Sequence, residues 1–299
     1  MFKKFKVFGI LLAVLMLAVA CGQNDAPVSS GSGKEASAPT ETGEGMKGEI
    51  AVISREEGSG TRGAFVELVG VEKNKNDATT PEAVVQNNTE AVITTVAGEK
   101  NAIGYISLGS LKDSVKAMKV DGVEATAENV ANGSYKIARP FNIATNGEPE
   151  GIVKDFIAFI LGDEGQEIVV EKGYVKSPEA KAYTAGSDLK GAFAIAGSSS
   201  VTPLMEKLAE AYMAKNPNVK IQVNLSDSTT GMQSVKDGIA DIGMASRELK
   251  ESEKDLTKNV IAMDGIAVVV NKANSMDSIS MDVLQKIYLG EILDWEEVK

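Results

Sequence analysis

From residue 48 to residue 299, short runs of aliphatic and β-branched residues alternate with stretches of helical period, and this alternation restricts the fold more than any other feature. Strands separated by helices do not pair as hairpins; they build a mainly parallel sheet with helices on its faces, an α/β architecture. The pattern predicts strands over 49–53, 102–106, 115–120, 192–196, 219–225, 241–245 and 266–270. Leu204, Met205, Leu208, Ala209 and Tyr212 share one face of a helix over 202–216, with Pro203 suited to its first turn. Ile152, Val153, Phe156, Ile157 and Ile160 give a second helix over 149–161. Asn87 with Glu90 reads as a capping box opening a helix through Ala97, and 281–288 as a short amphipathic helix ahead of Trp295. A body of about 250 residues reaches the size at which one core gives way to two, so two lobes are expected.

Ahead of this body, Lys3, Lys4 and Lys6 precede an apolar stretch from Val7 to Ala20 that is too short to span a bilayer comfortably. It ends Leu17-Ala18-Val19-Ala20-Cys21, with small residues directly before the single cysteine of the chain. The arrangement resembles the lipobox of bacterial lipoproteins, which implies a signal peptide over 1–20 and a lipid on the Cys21 sulfur. Residues 22–47 hold 16 Gly, Ala, Ser, Thr or Pro among 26, too little apolar surface to offset ordering entropy. The expectation is a flexible tether over 21–47, holding the body at the cell membrane on its extracytoplasmic face.

Charge and composition exclude several functions. Forty-two acidic against 31 basic residues leave a net charge of −11, and without the three signal lysines 28 basic residues face 42 acidic ones. No long Lys/Arg run is present, so a nucleic-acid partner is not expected. The absence of histidine removes His triads, His-ligated zinc and His general bases, and one cysteine allows neither an intrachain disulfide nor a Cys-rich metal site. Nothing calls for a metal or cofactor.

Three loops share one chemistry: Gly58-Ser59-Gly60-Thr61 after Ser54-Arg55, Gly197-Ser198-Ser199-Ser200 before Thr202, and Asp227-Ser228-Thr229-Thr230-Gly231. Each puts hydroxyls and glycine where a strand hands over to a helix, whose first N–H groups and positive dipole end favour an anion. Such residues are also ordinary helix caps, so one instance carries little weight. Three together, one of them behind an arginine, point to an oxyanion site.

The segments IAGSSSVTPLMEKLAEAY (195–212), DSTTGMQSVKDGIADIGMASREL (227–249), IAMDGIAVVVNKAN (261–274), KIYLGEILDW (286–295) and VISREEGSGTRGAF (52–65) resemble the phosphate-binding proteins of bacterial phosphate ABC transporters. The order departs from that family: SREEGSGT opens the body here, and the GSSS half follows it. This implies a circular permutation, with 176–191 joining the usual ends of the family, or alternatively two halves that complete each other between neighbouring chains.

The resemblance implies a two-lobed, type II periplasmic-binding-protein-like α/β fold, each lobe a mixed, mainly parallel sheet flanked by helices, with the anion between them. Residues 138–263 would form lobe 1, 48–137 with 264–299 lobe 2, and the crossings would lie near 138–144 and 261–266. It also implies capture of inorganic phosphate, delivery to membrane-embedded ABC permease subunits, and a monomer.

Residue by residue, Ser199 and Ser200 match the first phosphate loop, Ser228 and Thr230 the second, and Arg55, Ser59, Gly60 and Thr61 the loop of the other lobe. Glu57 would orient Arg55. Ser246 stands where some members carry an aspartate that accepts the phosphate proton, which leaves rejection of sulfate open. Arg247 reads as pairing with Glu248 or Glu251 at the surface. Met205, Met213, Met232 and Trp295 read as core, and Asp237 and Asp241 as capping or solvated groups. The competing readings are a binder of sulfate or another tetrahedral oxyanion, a serine-dependent phosphate-ester hydrolase built on Ser199 or Ser59, and a surface adhesin or signalling lipoprotein on the same fold.

Overall fold

The computed structural model describes residues 46–74 and 76–299. The signal peptide, the Cys21 lipidation site and nearly all of the tether lie outside the described residues. Met46, which composition assigns to the tether, is buried in the core around Trp295.

A ten-stranded sheet organises the body. Its main path runs Val219–Ser226, Gly191–Ser198, Ile242–Ala245, Ala138–Thr145, Thr257–Asn271, Ala102–Ser107, Ala51–Arg55 and Val84–Gln86. The first three strands are mutually parallel, and so are the last three. Between these triplets stand Ala138–Thr145 and Thr257–Asn271, antiparallel to each other and to their outer neighbours. The fold is therefore a mixed α/β sheet with two parallel halves joined by two long crossing strands.

Each half has its own core on both faces of the sheet. Along Ile266–Val270 the alternation of side chains sends Ile266, Val268 and Val270 to a core with Phe65, Tyr288 and Trp295, while Ala267 and Val269 meet Val92, Ile93 and Val96. Burial on both faces explains why this strand reads as an unbroken apolar run. In the other half, Phe141, Phe156, Ile195, Leu204, Leu208 and Tyr212 form one core, and Met232, Val235, Ala196 and Ala245 the opposite one.

The predicted strands are present with shifted ends. The 115–120 run divides into Val115–Ala117 and Lys119–Val120. The 241–245 run begins at Ile242, because Asp241 stands outside the strand and accepts the Ala194 N–H at 2.8 Å. The strand Ala138–Thr145 and the first half of Thr257–Asn271 carry no simple apolar alternation and were not predicted from pattern. Asn87 does not cap the second helix: Asn88 does, accepting the Ala91 N–H at 2.8 Å, and the helix is Thr89–Gly98.

Where the crossing strands pair, Arg139 faces Asp264, their charged groups 3.0 Å apart and almost fully buried. Burial pushes the Asp264 carboxyl up to about 6, against the pull of Arg139, and pushes Arg139 down to about 10.

Candidate functional site

Four helices begin at one point between the two halves. Gly60–Val69 and Thr89–Gly98 belong to one half, Thr202–Lys215 and Ser228–Lys236 to the other. Each parallel βα unit delivers a helix N-terminus to the carboxyl edge of its strands, so two such units in each half, facing each other across the crossing strands, bring four positive dipole ends together. The Ser228 helix gets close because Gly231 packs on the strand backbone: a Cβ there would lie 2.7 Å from Ala196 O.

The hydroxyls at these N-termini touch across the boundary. Thr61 Oγ1 lies 2.9 Å from Ser200 Oγ and 3.4 Å from Ser246 Oγ. Ser246 Oγ accepts from Ser198 Oγ at 2.9 Å, and the Ser246 N–H donates to Ser228 Oγ at 3.2 Å. Thr89 Oγ1 lies 3.2 Å from Ser199 Oγ and 3.1 Å from Ser200 Oγ. All seven residues are buried, Thr61, Ser200, Ser228 and Ser246 completely.

One cation enters this set. Arg55, 2% exposed, ends its strand beside the cluster and donates from Nη2 to Ser199 Oγ at 3.1 Å and from Nη1 to Thr89 Oγ1 at 3.4 Å. Its fork is held by Glu56, whose oxygens accept from Nη2 at 2.6 Å and from Nε at 2.7 Å. Behind it, the Tyr105 hydroxyl accepts the Arg55 N–H at 3.3 Å and lies 3.0 Å from Ser54 Oγ, and burial pushes this phenol up to about 12. Beside the cluster opens a cavity of about 350 Å³ lined by Asn88, Thr89, Ser110, Lys112, Ser199 and Leu225.

The structure thus brings Arg55, Thr61, Ser199, Ser200, Ser228 and Ser246 into one hydrogen-bonded group. Gly60 faces it with its backbone, since a Cβ there would meet Ser228 Oγ and lie 2.8 Å from Ser246 Oγ. Ser59 is buried beside it but uses its hydroxyl to cap its own helix, accepting the Arg62 N–H at 3.3 Å.

Thr230 stands apart from the cluster. It is exposed, and its N–H and hydroxyl both bond to the Asp227 cap. Two charge assignments also change. Glu57 is exposed while the preceding Glu56 holds Arg55, because the chain turns here before the helix starts. Arg247 is 7% exposed rather than a surface residue, and it is locked to Glu253 instead of Glu248 or Glu251 side chains. Thr89 escaped the sequence reading: the Asn87-Asn88-Thr89 loop lacks the glycine of the other three, and a polar residue directly after an Asn cap is the signal that would have found it.

A sequence-family description, "PBP superfamily domain", matches residues 29–164 and 178–299. The chain belongs to the PBP superfamily. It is 49% identical over 276 residues to "Phosphate-binding protein PstS 2" of Streptococcus agalactiae serotype V, covering 90% of this chain and 94% of that protein. The crystal structure of a phosphate-binding protein of a phosphate ABC transporter from Streptococcus pneumoniae TIGR4 superimposes with a TM-score of 0.68 at 46% identity, covering 84% of this chain and all of that one. Against "Phosphate-binding protein PstS" of Bacillus subtilis the match is 37% over 112 residues, only 36% of this chain and 37% of that protein. In this PBP superfamily chain, the hydroxyl cluster falls where the two halves of the sheet meet, at the carboxyl ends of the parallel strands and beside the interior of the crossing strands.

Proposed function

We propose that this chain captures inorganic phosphate between its two lobes and delivers it to an ABC permease. The observation that carries this is the convergence of four helix N-termini, seven hydroxyl side chains and one buried guanidinium on a single point. Closing two lobes around phosphate replaces its hydration water with fixed donors, and no bond is made or broken. The planar fork of Arg55 supplies charge, while hydroxyls and N–H groups supply direction.

A binder is favoured over a serine hydrolase by the partners of the hydroxyls. Ser199 is bonded to Arg55 and Thr89, and the Ser59 hydroxyl is committed to its helix cap. The nearest carboxylate to Arg55, Glu56, has both oxygens committed to the guanidinium and offers no free base. One observation supports a wider ligand range. Ser246 occupies the cluster as a neutral donor and acceptor, so a fully ionised sulfate would meet no opposing carboxylate there.

Residues 138–263 as one lobe, and 48–137 with 264–299 as the other, agree with the separate cores. The proposed circular permutation is supported by two facts. Glu49 pairs with Asp294, with Ile50 N–H donating to Leu293 O at 2.7 Å and Trp295 N–H to Gly48 O at 3.0 Å, so the ends of the body are neighbours. The near full-length match to the streptococcal protein, against a third-length match to the Bacillus one, suits an order shared with the former. These contacts favour a chain closed on itself as a monomer. The remaining parts of the proposal are an extracytoplasmic location and a lipid on Cys21; no helix among the described residues is long and apolar enough to cross a membrane.

Calorimetric titration of phosphate-free protein from Cys21 onward, sized by light scattering, tests the reading. Phosphate should bind at one site per monomer, with no turnover of a chromogenic phosphate ester. A folded monomer that takes up neither phosphate nor sulfate refutes it.

A further inference from the structure

A second polar chain joins the two lobes outside the hydroxyl cluster, and it centres on a residue with no place in the anion site. Thr229 Oγ1 lies 3.3 Å from Arg247 Nη2, 3.1 Å from Lys250 Nζ and 3.1 Å from the carbonyl oxygen of Gly58 in the opposite lobe. The Thr229 N–H donates to the same carbonyl at 3.2 Å. A hydroxyl has one proton and two lone pairs. Two cationic donors fill both lone pairs here, so the proton is left with a single acceptor, Gly58 O. The charge of the donors polarises that proton toward the other lobe.

The donors are themselves fixed. Arg247 donates to Glu253 through Nη1 at 2.7 Å and Nη2 at 2.8 Å, and to the Glu248 carbonyl at 2.8 Å. Glu253 is 4% exposed and also accepts the Lys250 N–H at 2.8 Å. Burial alone would raise its carboxyl, but the Arg247 and Lys250 hydrogen bonds hold it below its ordinary value, so it stays charged. With its η nitrogens so committed, Arg247 is not turned toward the cluster. Its stem instead fills the space over the opposing helix, 3.1 Å from where a Gly60 Cβ would stand.

Gly58 lies between Arg55 and the Ser59-Gly60-Thr61 turn, so a bond to its carbonyl holds the loop that carries three of the proposed ligand residues. We propose that Thr229 latches the lobes together and thereby sets how fast phosphate leaves, with Arg247 and Glu253 as the positioning residues that aim its hydroxyl. This rests on the phosphate-binding reading above. The latch makes no contact with the anion, and its effect falls mainly on release, because a bound phosphate leaves only when the closed lobes part.

The test compares the parent chain with Thr229→Val and Thr229→Ser. Phosphate association and release are followed by stopped flow, and the compactness of phosphate-free protein by small-angle scattering. Thr229→Val is expected to release phosphate roughly tenfold faster, with association within about twofold, and to widen the phosphate-free scattering envelope; Thr229→Ser should match the parent. Glu253→Gln should speed release less than Thr229→Val does. If the parent binds phosphate and Thr229→Val releases it at the parental rate, the latch is overturned and the phosphate reading stands. If the parent binds no phosphate while Thr229→Val still opens the lobes in scattering, the ligand reading falls and the latch geometry survives. Equal scattering in a chain that binds nothing overturns both.

Discussion

Replacing Gly60 by alanine adds one methyl group where the two lobes touch. Its φ lies outside the left-handed region and it begins a helix, so the change costs nothing locally and should stabilise the phosphate-free protein by up to about 1 kcal/mol. Across the boundary, however, the new Cβ would sit 2.8 Å from Ser246 Oγ and closer still to Ser228 Oγ, inside the ordinary contact distance of about 3.5 Å. Either the serines turn away and lose the Ser246 N–H to Ser228 Oγ bond, or the lobes part by roughly 1 Å. Parting by that much breaks the Thr61 contacts to Ser200 and Ser246, now 2.9 and 3.4 Å. Two neutral hydrogen bonds at about 1 kcal/mol each, with at least one charge-assisted contact to the anion at about 1.5–3 kcal/mol, amount to about 3.5–5 kcal/mol. The expected outcome is phosphate affinity reduced several hundredfold or more, with a melting temperature equal to or above that of the parent. Calorimetry and thermal unfolding without phosphate measure the two separately. Affinity within threefold of the parent, in a variant that melts normally, would refute the claim that closure at Gly60 forms the site.

Arg55→Ala should weaken phosphate binding by about 30- to 1000-fold in calorimetry, since it removes the one cation of the cluster, whereas Thr230→Ala should leave affinity within about twofold and lower only the stability of its helix. Denaturant unfolding at several pH values reads the buried Asp264. Its folded value of about 6 lies above its ordinary 3.8, so between these values the native state holds a proton that the unfolded chain has released. Its contribution to stability therefore falls as pH rises through that window, and the parent should gain on the order of 3 kcal/mol relative to Asp264→Asn between pH 7 and pH 4. At pH 7, Asp264→Asn leaves Arg139 buried without a charged partner and should itself unfold more easily, while a joint replacement of both by leucine and methionine should not.

Much of this organisation is legible in the sequence wherever periodicity and burial agree. The inner parallel strands Ala102–Ser107 and Ile242–Ala245 are apolar because both their faces are covered, and the helices over 202–215 and 281–288 show their buried faces directly. The crossing strand Ala138–Thr145 hides because Arg139, Pro140 and Asn142 interrupt its apolar pattern. Pro140 is tolerated because only Thr257–Asn271 pairs with it there, the other neighbour beginning its pairing at Asn142. Adjacent residues were the harder choice. Nothing in Glu56-Glu57 tells which carboxylate meets Arg55, and Thr229 and Thr230, one residue apart on a helix, differ by about 100° in direction. The Asp227 cap takes Thr230 outward and leaves Thr229 facing Gly58, a distinction that only the assembled lobes make.

The paired crossing strands act as a flexure rather than a pivot. Thr257–Asn271 runs unbroken for 15 residues through both lobes, and its register with Ala138–Thr145 is pinned by backbone bonds on either side of a bulge between Val260 and Ala262. Sliding one lobe past the other would break that whole ladder, whereas bending and twisting at the bulge preserves it. Relative motion of the lobes is thereby reduced to very few degrees of freedom, with stiffness set by backbone geometry. Substitutions of side chains along the ladder should tune how stiffly this spring resists bending, without giving the lobes a new direction in which to move.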